Sequence, residues 1–135
     1  MPKAVLAGLK KHEGINLSVI CSVSDTGGSA GKEREKYGTN ISFGDIRRSF
    51  LELSEISPDI KDVLAFRIKD GTSGGTIIAN ILGTAAVLQS ADYEKAFKAY
   101  REILKIPSKY QVFPATLDST AICASLENGQ IVKEE

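Results

Sequence analysis

The segment SVSDTGGSAGKEREKYG, residues 22–38, follows directly after the apolar run INLSVIC at residues 15–21. The apolar run predicts a strand over residues 17–23, and such a strand, covered on both faces, favours a parallel sheet flanked by helices. The small residues that follow predict a loop whose backbone approaches a ligand closely, with Asp25 as a polar contact. A plain connecting loop is the alternative, and the rest of the chain decides between the two.

Helical and strand patterns alternate along the rest of the chain. Apolar spacing and end signals predict helices over residues 2–12, from a cap at Asp45, from Pro58, over residues 77–88 and over residues 91–105. The fourth of these helices is apolar nearly all round and is expected to lie centrally. Strands are predicted over residues 109–117 and 120–134, with a hairpin turn at Asn128 and Gly129.

This order of elements predicts one domain over residues 1–135. The expected fold class is α/β: three layers, Rossmann-like, with a mostly parallel sheet flanked by helices and a C-terminal β-hairpin.

Composition excludes several classes of partner. The chain has 135 residues, with 17 Lys and Arg against 17 Asp and Glu, so no surface for nucleic acid or an anionic membrane is expected. The longest apolar run, at residues 76–88, is too short to span a bilayer, and no signal peptide is expected. Cys21 and Cys123 lie in apolar runs and are expected to be buried, reduced thiols, which favours a cytoplasmic location.

Three segments rich in small residues each precede a predicted helix: residues 24–31 (SDTGGSAG), 42–48 (SFGDIRR) and 70–76 (DGTSGGT). The start of a helix presents free N–H groups and a partial positive charge, which bind anions such as phosphate. In open α/β sheets such loops meet at the carboxyl ends of the strands. We therefore expect the three segments to converge in one cleft at an edge of the sheet.

Two common nucleotide-binding motifs are not matched. GGSAGKE at residues 27–33 resembles a P-loop, but its glycine spacing is one residue short, and Glu33 stands where Ser or Thr would hold magnesium. The first strand is not followed by G-x-G-x-x-G either. His12 is the single histidine, which excludes a Ser-His triad and a histidine-based metal cluster.

Taken together, the three segments resemble a known family. SVSDTGGSAG followed by FGDIRR is similar to V-A-D-D-G-G-S-S-G and P-G-D-I-R-N, the signature of the gluconeogenesis-factor proteins within the 2-phospho-L-lactate transferase superfamily. DGTSGGT lies where that family has G-H-S-[FL]-G-N, and residues 103–135 resemble the family stretch that follows. The chain departs from the signature at Thr26, which replaces the second acid, at Arg48, which replaces Asn, and at Thr72, Gly74 and Thr76 in the third segment.

The resemblance implies a ligand site. Its residues are Asp25, Gly27, Gly28 and Ser29 in the first segment, Gly44, Asp45 and Arg47 in the second, and Gly71, Ser73 and Gly75 in the third. In the transferase branch the paired acids are implied to hold magnesium, and Asp25 is the acid that remains here. Each acid also has a structural alternative: Asp25 could form a turn, and Asp45 could cap a helix. Arg47 could clamp a phosphate, or it could simply lie on an exposed side of its helix.

Three functions follow as hypotheses. The resemblance first implies a cytoplasmic, non-catalytic regulatory protein that binds a nucleotide sugar, UDP-N-acetylglucosamine, and links carbon metabolism to cell shape. The alternative is an enzyme that moves a phospholactyl group from a guanosine diphosphate carrier to a deazaflavin, and the third is an oligomer-forming module that has lost its ligand.

Family members are longer, so the chain is expected to correspond to the middle part of one. By itself it is expected to be catalytically silent and to bind the nucleotide sugar weakly. It is also expected to form a homo-oligomer or to pair with a partner chain through an open strand edge.

Overall fold

Helices and short strands alternate in the computed structural model of the protein, which describes residues 3–26, 28–69 and 75–133. The helices are α1 (Lys3–Leu9), α2 (Gly28–Tyr37), α3 (Gly44–Leu53), α4 (Pro58–Ala65), α5 (Ile78–Ser90) and α6 (Tyr93–Ile103). The strands are β1 (Leu17–Cys21), β2 (Arg67–Ile68), β3 (Thr76–Ile77), β4 (Tyr110–Pro114), β5 (Cys123–Ser125) and β6 (Ile131–Lys133).

A parallel pair of strands forms the sheet of the α/β arrangement. β1 and β4 run side by side, from Leu17 opposite Tyr110 to Cys21 opposite Pro114. Helices pack against this pair, which confirms the predicted α/β class with a parallel sheet. The predicted C-terminal hairpin is also confirmed, because β5 pairs antiparallel with β6. Among the described strands, β2 and β3 form a further antiparallel pair, so each sheet has two strands.

One face of the parallel pair is exposed. Successive side chains of a strand point to opposite faces, so β1 turns Val19 and Cys21 towards the core, whereas Ile20 is 73% exposed. Its register partner Phe113 is 47% exposed. We expected the first strand to be covered on both faces. Among the described residues this is wrong, because α3 packs against the face that carries Val19 and Cys21 and leaves the face of Ile20 exposed.

The core is built around α3 and α6. Ile46, Phe50 and Leu53 follow the helical spacing seen in the sequence, and all three are fully buried. Phe50 meets Tyr100 of α6 edge to face, with ring centroids 5.1 Å apart. Burial raises the pKa of Tyr100, so its hydroxyl stays protonated and donates to the carbonyl oxygen of Ala79 at 2.8 Å. That hydrogen bond ties α6 to the first turn of α5.

Two helices begin with side-chain caps. The Ser57 hydroxyl accepts from the Ile60 N–H at 3.4 Å, and Pro58 follows as the first residue of α4, as the sequence predicts. Before α6, Asp92 Oδ1 accepts from the N–H groups of Glu94 at 2.9 Å and Lys95 at 3.2 Å. These caps satisfy N–H groups that have no partner inside the helix.

The start of α3 differs from the prediction. The Arg47 N–H donates to the Phe43 carbonyl oxygen at 2.8 Å, so the helix begins at Gly44 and the predicted cap, Asp45, already lies inside its first turn. Its carboxylate makes an ion pair with Arg48 at 3.0 Å instead. An acid in the first turn still stabilises a helix through the partial positive charge at its start.

Two burial predictions are also corrected. α5 buries one side and leaves Leu88 54% exposed, so this helix is not enclosed all round. Cys21 is buried as expected, but Cys123 is exposed, because every residue of β5 is exposed in the hairpin. No helix in the described part of the chain is long and apolar enough to cross a membrane.

Gly83 is the position where α5 passes closest to the aromatic core, since a Cβ there would lie 2.5 Å from Cδ1 of Phe43. We expect Gly83→Ala to lower the free energy of unfolding by about 1–3 kcal/mol, because overpacking outweighs a gain of roughly 1 kcal/mol in helix propensity. Gly8→Ala in α1 is the matched control: a Cβ there meets no atom within 4 Å, so we expect no loss of stability. Urea denaturation measures both, and equal losses would contradict the packing argument.

Candidate functional site

The first glycine-rich segment joins the end of β1 to the start of α2. Gly28, the first residue of α2, has φ +60°, a backbone conformation that favours glycine. Gly31 is packed so closely that a Cβ there would lie 2.1 Å from the carbonyl oxygen of Thr26. The glycines therefore let the first turn of α2 fold back tightly against the chain that precedes it.

The first and second segments meet at their helix starts. A Cβ on Gly44, the first residue of α3, would lie 3.3 Å from the Cβ of Ala30 in α2 and 3.6 Å from Oδ2 of Asp25. Asp25 is exposed, so its carboxylate lies at the surface beside the start of α3. Ser29 is buried within α2, and Gly27 lies outside the described residues.

This pair of helix starts has a defined binding chemistry. Each start offers N–H groups and a partial positive charge, which together favour an anion such as a phosphate. The carboxylate of Asp25 repels a phosphate but accepts hydrogen bonds from hydroxyl groups. The arrangement therefore suits a ligand that carries phosphate and hydroxyl groups side by side.

A cleft of about 430 Å³ opens beside α2 and is lined in part by Arg34. Arg34 Nη2 donates to Ser119 Oγ at 2.8 Å, and Ser24 Oγ lies 2.7 Å from Thr120 Oγ1. These contacts hold residues 119–120 against the first segment. The volume is in the usual range for small-molecule sites, roughly 300–1,000 Å³. A larger groove, of about 580 Å³, lies between α6 and β4. Neither is lined by a predicted site residue, but the cleft is lined by Thr26 and Gly31 of the first segment.

The third segment is described only at its end, because Gly71 and Ser73 lie outside the described residues. Gly75 is buried with φ +61°, and a Cβ there would lie 2.5 Å from the carbonyl oxygen of Ile68. Two residues later, the Ile77 N–H donates to Oε1 of Glu33 in α2 at 3.4 Å. The end of the third segment is thus tied to the helix that follows the first.

Arg47 lies in the interior of the protein. It is 7% exposed, and its Nε donates to Oδ1 of Asn80 in α5 at 2.9 Å. Burial and the neighbouring charge of Arg48 lower the pKa of Arg47. The interpretation of Arg47 as an arginine on an exposed helix side is wrong, because α5 packs against α3. Its role as a phosphate clamp stays a prediction.

The sequence analysis missed two residues of this region, Glu33 and Asn80, which are 7% and 0% exposed. Burial raises the pKa of the Glu33 carboxyl, while the Ile77 N–H and the Arg47 charge oppose that rise. A local signal existed for both residues. Glu33 follows Ser29 at helical spacing, and Asn80 lies on the same side of the apolar helix α5 as Thr84, all four being buried.

A metal role for Asp25 would require further oxygen ligands, because hard divalent cations bind several at once. Within the ranges that the structure describes, no three His, Cys, Asp or Glu side chains lie close enough together to hold an ion. Asp45, on the neighbouring helix start, is ion-paired with Arg48. Magnesium usually keeps several waters and is held by one or two carboxylates together with substrate phosphates. A magnesium ion at Asp25 therefore stays a prediction, and we assign no metal-dependent step to the described residues.

Comparison with known protein families and structures places these features in a family context. Residues 3–135 match the family model described as 2-phospho-L-lactate transferase CofD. The chain is similar to a crystal structure of a protein member of the UPF0052 family from Bacillus halodurans, with a TM-score of 0.86 and 26% identity, covering 97% of this chain and 41% of that one.

Curated proteins named gluconeogenesis factor are also similar. The chain is 39% identical to the one from Listeria innocua and 30% identical to the one from Bacillus subtilis, over 132 residues in each case. Each alignment covers 97% of this chain and 40% of the relative. The chain therefore spans about two fifths of the length of these relatives.

The buried Glu33 predicts a specific pH dependence of stability. Its pKa is raised in the folded state above the ordinary value of 4.5, so the folded state holds a proton that the unfolded state has already lost. The free energy of unfolding therefore falls as pH rises from 4.5 through the folded-state pKa of Glu33. The charged groups near Glu33 are Arg47 and Arg67. We expect Glu33→Gln to abolish that fall.

Urea denaturation between about pH 4 and pH 8, which brackets the titration of a raised carboxyl, measures this effect. Glu35→Gln, at an exposed position of the same helix, removes the same charge and is expected to keep the wild-type pH dependence. Parallel profiles for the wild type and Glu33→Gln would show that Glu33 does not titrate in this range.

Proposed function

This chain belongs to the 2-phospho-L-lactate transferase CofD family, and from that premise we propose that it binds a nucleotide sugar, UDP-N-acetylglucosamine, as a non-catalytic regulatory protein of the gluconeogenesis-factor type. In this proposal its ligand state links carbon metabolism to cell shape. The relatives named gluconeogenesis factor support the type, and the ligand is the one that the resemblance implies.

One observation carries the proposal: the first and second segments meet. A Cβ placed on Gly44 would lie 3.6 Å from Oδ2 of Asp25. The starts of α2 and α3 then offer N–H groups to the diphosphate, because both helices begin at this point. Asp25 accepts hydrogen bonds from sugar hydroxyls, which a carboxylate does well. The cleft beside α2 has room for the remainder of a small ligand.

A transferase is the second hypothesis, since the family model is described as a transferase. Its metal-binding acid pair is reduced here to Asp25, because Thr26 stands at the second position. Thr26 has no carboxylate to offer a cation, so binding without group transfer is the function that this segment supports better.

We also propose a cytoplasmic location. Cys21 and Cys123 are both free thiols in the structure. Unpaired cysteines are typical of a reducing compartment, and Cys123 is exposed, so it would be available for pairing in an oxidising one.

Calorimetric titration with UDP-N-acetylglucosamine up to millimolar concentrations tests the proposed ligand, with UDP and GDP as competitors. We expect saturable binding, and we expect Asp25→Asn to weaken it about tenfold, because hydrogen bonds to a charged group contribute roughly 1.5–3 kcal/mol. Asp59→Asn, at an exposed position in α4, is the control and should bind like the wild type.

Two results would contradict the proposal in different ways. A wild-type chain that binds GDP but not the UDP sugar would favour the transferase hypothesis. Equal affinities for the wild type and Asp25→Asn would remove Asp25 from the site while leaving the ligand in place.

A further inference from the structure

The three helices that follow the glycine-rich segments share one buried polar cluster. α2 contributes Glu33, α3 contributes Arg47, and α5 contributes Asn80. Each of the three is at least nine-tenths buried, with exposures of 7%, 7% and 0%. Charged and amide side chains are rarely buried to this degree unless they are paired.

Asn80 lies between the other two side chains. Its Oδ1 accepts from Arg47 Nε at 2.9 Å. Its amide also lies beside the Glu33 carboxylate, where it favours the charged form. Glu33 Oε1 accepts from the Ile77 N–H at 3.4 Å, while Glu33 Oε2 and Asn80 Nδ2 have no hydrogen-bond partner among the described residues.

The cluster is sensitive to small shifts of the helices. Leaving a buried donor or acceptor unsatisfied costs about 1–3 kcal/mol, and more when the group is charged. Movement of α3 away from α5 would break the bond from Arg47 to Asn80, and movement of α2 away from the start of α5 would break the bond from the Ile77 N–H to Glu33. The helix starts are therefore held in one mutual arrangement by directional contacts, in addition to apolar packing.

We propose that Glu33 and Asn80 are positioning residues for the ligand site, acting through the placement of α2, α3 and α5 rather than by touching the ligand. This inference rests on the proposed function, because it assigns a purpose to the arrangement of the glycine-rich segments. Asn80 accepts from Arg47 of α3 and lies beside Glu33 of α2, and Glu33 accepts from the N–H of Ile77 at the start of α5, so these contacts link all three helices.

Exchanging the two groups tests the inference without changing side-chain volume. Asn80→Asp places a second carboxylate beside Glu33 but keeps an acceptor for Arg47. Glu33→Gln places a second amide beside Asn80. The double variant restores one carboxylate and one amide in reversed order, so a double-mutant cycle isolates the contact between them. Glu102→Gln, at an exposed position of α6 away from the cleft beside α2, is the control for charge removal.

The first measurement is amide hydrogen exchange by NMR without ligand. We expect Asn80→Asp to raise the exchange rate of the Ile77 N–H about tenfold, in line with the loss of one buried contact, and to leave the Arg47 N–H near its wild-type rate. The double variant should return the Ile77 rate to the wild-type value. An unchanged Ile77 rate in Asn80→Asp, or no recovery in the double variant, would overturn the inference.

The second measurement is the affinity for UDP-N-acetylglucosamine. We expect Asn80→Asp to bind about tenfold more weakly and the double variant to regain the wild-type affinity. A raised exchange rate of the Ile77 N–H with unchanged affinity would overturn the positioning role. If Asn80→Asp does not fold, a double variant that folds and shows slow exchange of the Ile77 N–H supports the contact between positions 33 and 80. A double variant that does not fold contradicts it. A wild-type chain that does not bind the sugar contradicts the proposed function alone, because the exchange result stands without ligand.

Discussion

The hydrogen bond from Arg47 Nε to Asn80 Oδ1, at 2.9 Å, is the contact on which the arrangement of the helices depends. Leaving a buried donor without its acceptor costs about 1–3 kcal/mol, and more when the donor is charged, as the Arg47 guanidinium is. Asn80 is fully buried and lies beside Glu33, which in turn holds the Ile77 N–H. Apolar burial is non-directional, whereas these polar contacts have defined partners and link α3 to α5 and the start of α5 to α2.

The candidate site lies at the edge of this frame. At Gly31 and Gly44 the absence of a Cβ lets the two helices begin against Thr26 and Asp25, at distances where a larger side chain would collide or crowd. The starts of α2 and α3 then lie beside one exposed carboxylate, that of Asp25. A ligand with phosphate and hydroxyl groups would match both kinds of contact.

Much of this site could be predicted from the sequence, because a helix start after a run of small residues is a local pattern. Asp25, Gly28 and Gly44 were recognised in this way, and the structure brings the first two segments together. The sequence did not predict a role for Asn80, and Glu33 was considered only as a residue that does not fit a P-loop. Their helical spacing with Ser29 and Thr84 puts each side chain on one face of its helix. Whether that face is buried depends on α5 packing against α2, which lies more than 40 positions away in the chain.

The sequence by itself determined the α/β class, the C-terminal hairpin, the buried stripe of Ile46, Phe50 and Leu53, and the family signature. These features follow from periodicity and from short motifs, which are properties of neighbouring residues. Only the tertiary structure decided that Arg47 lies inside, that Ile20 and Cys123 are exposed, and that α3 begins at Gly44 rather than after Asp45. Exposure is decided by which element packs opposite a residue, and that packing joins segments distant in the chain, which no local pattern records.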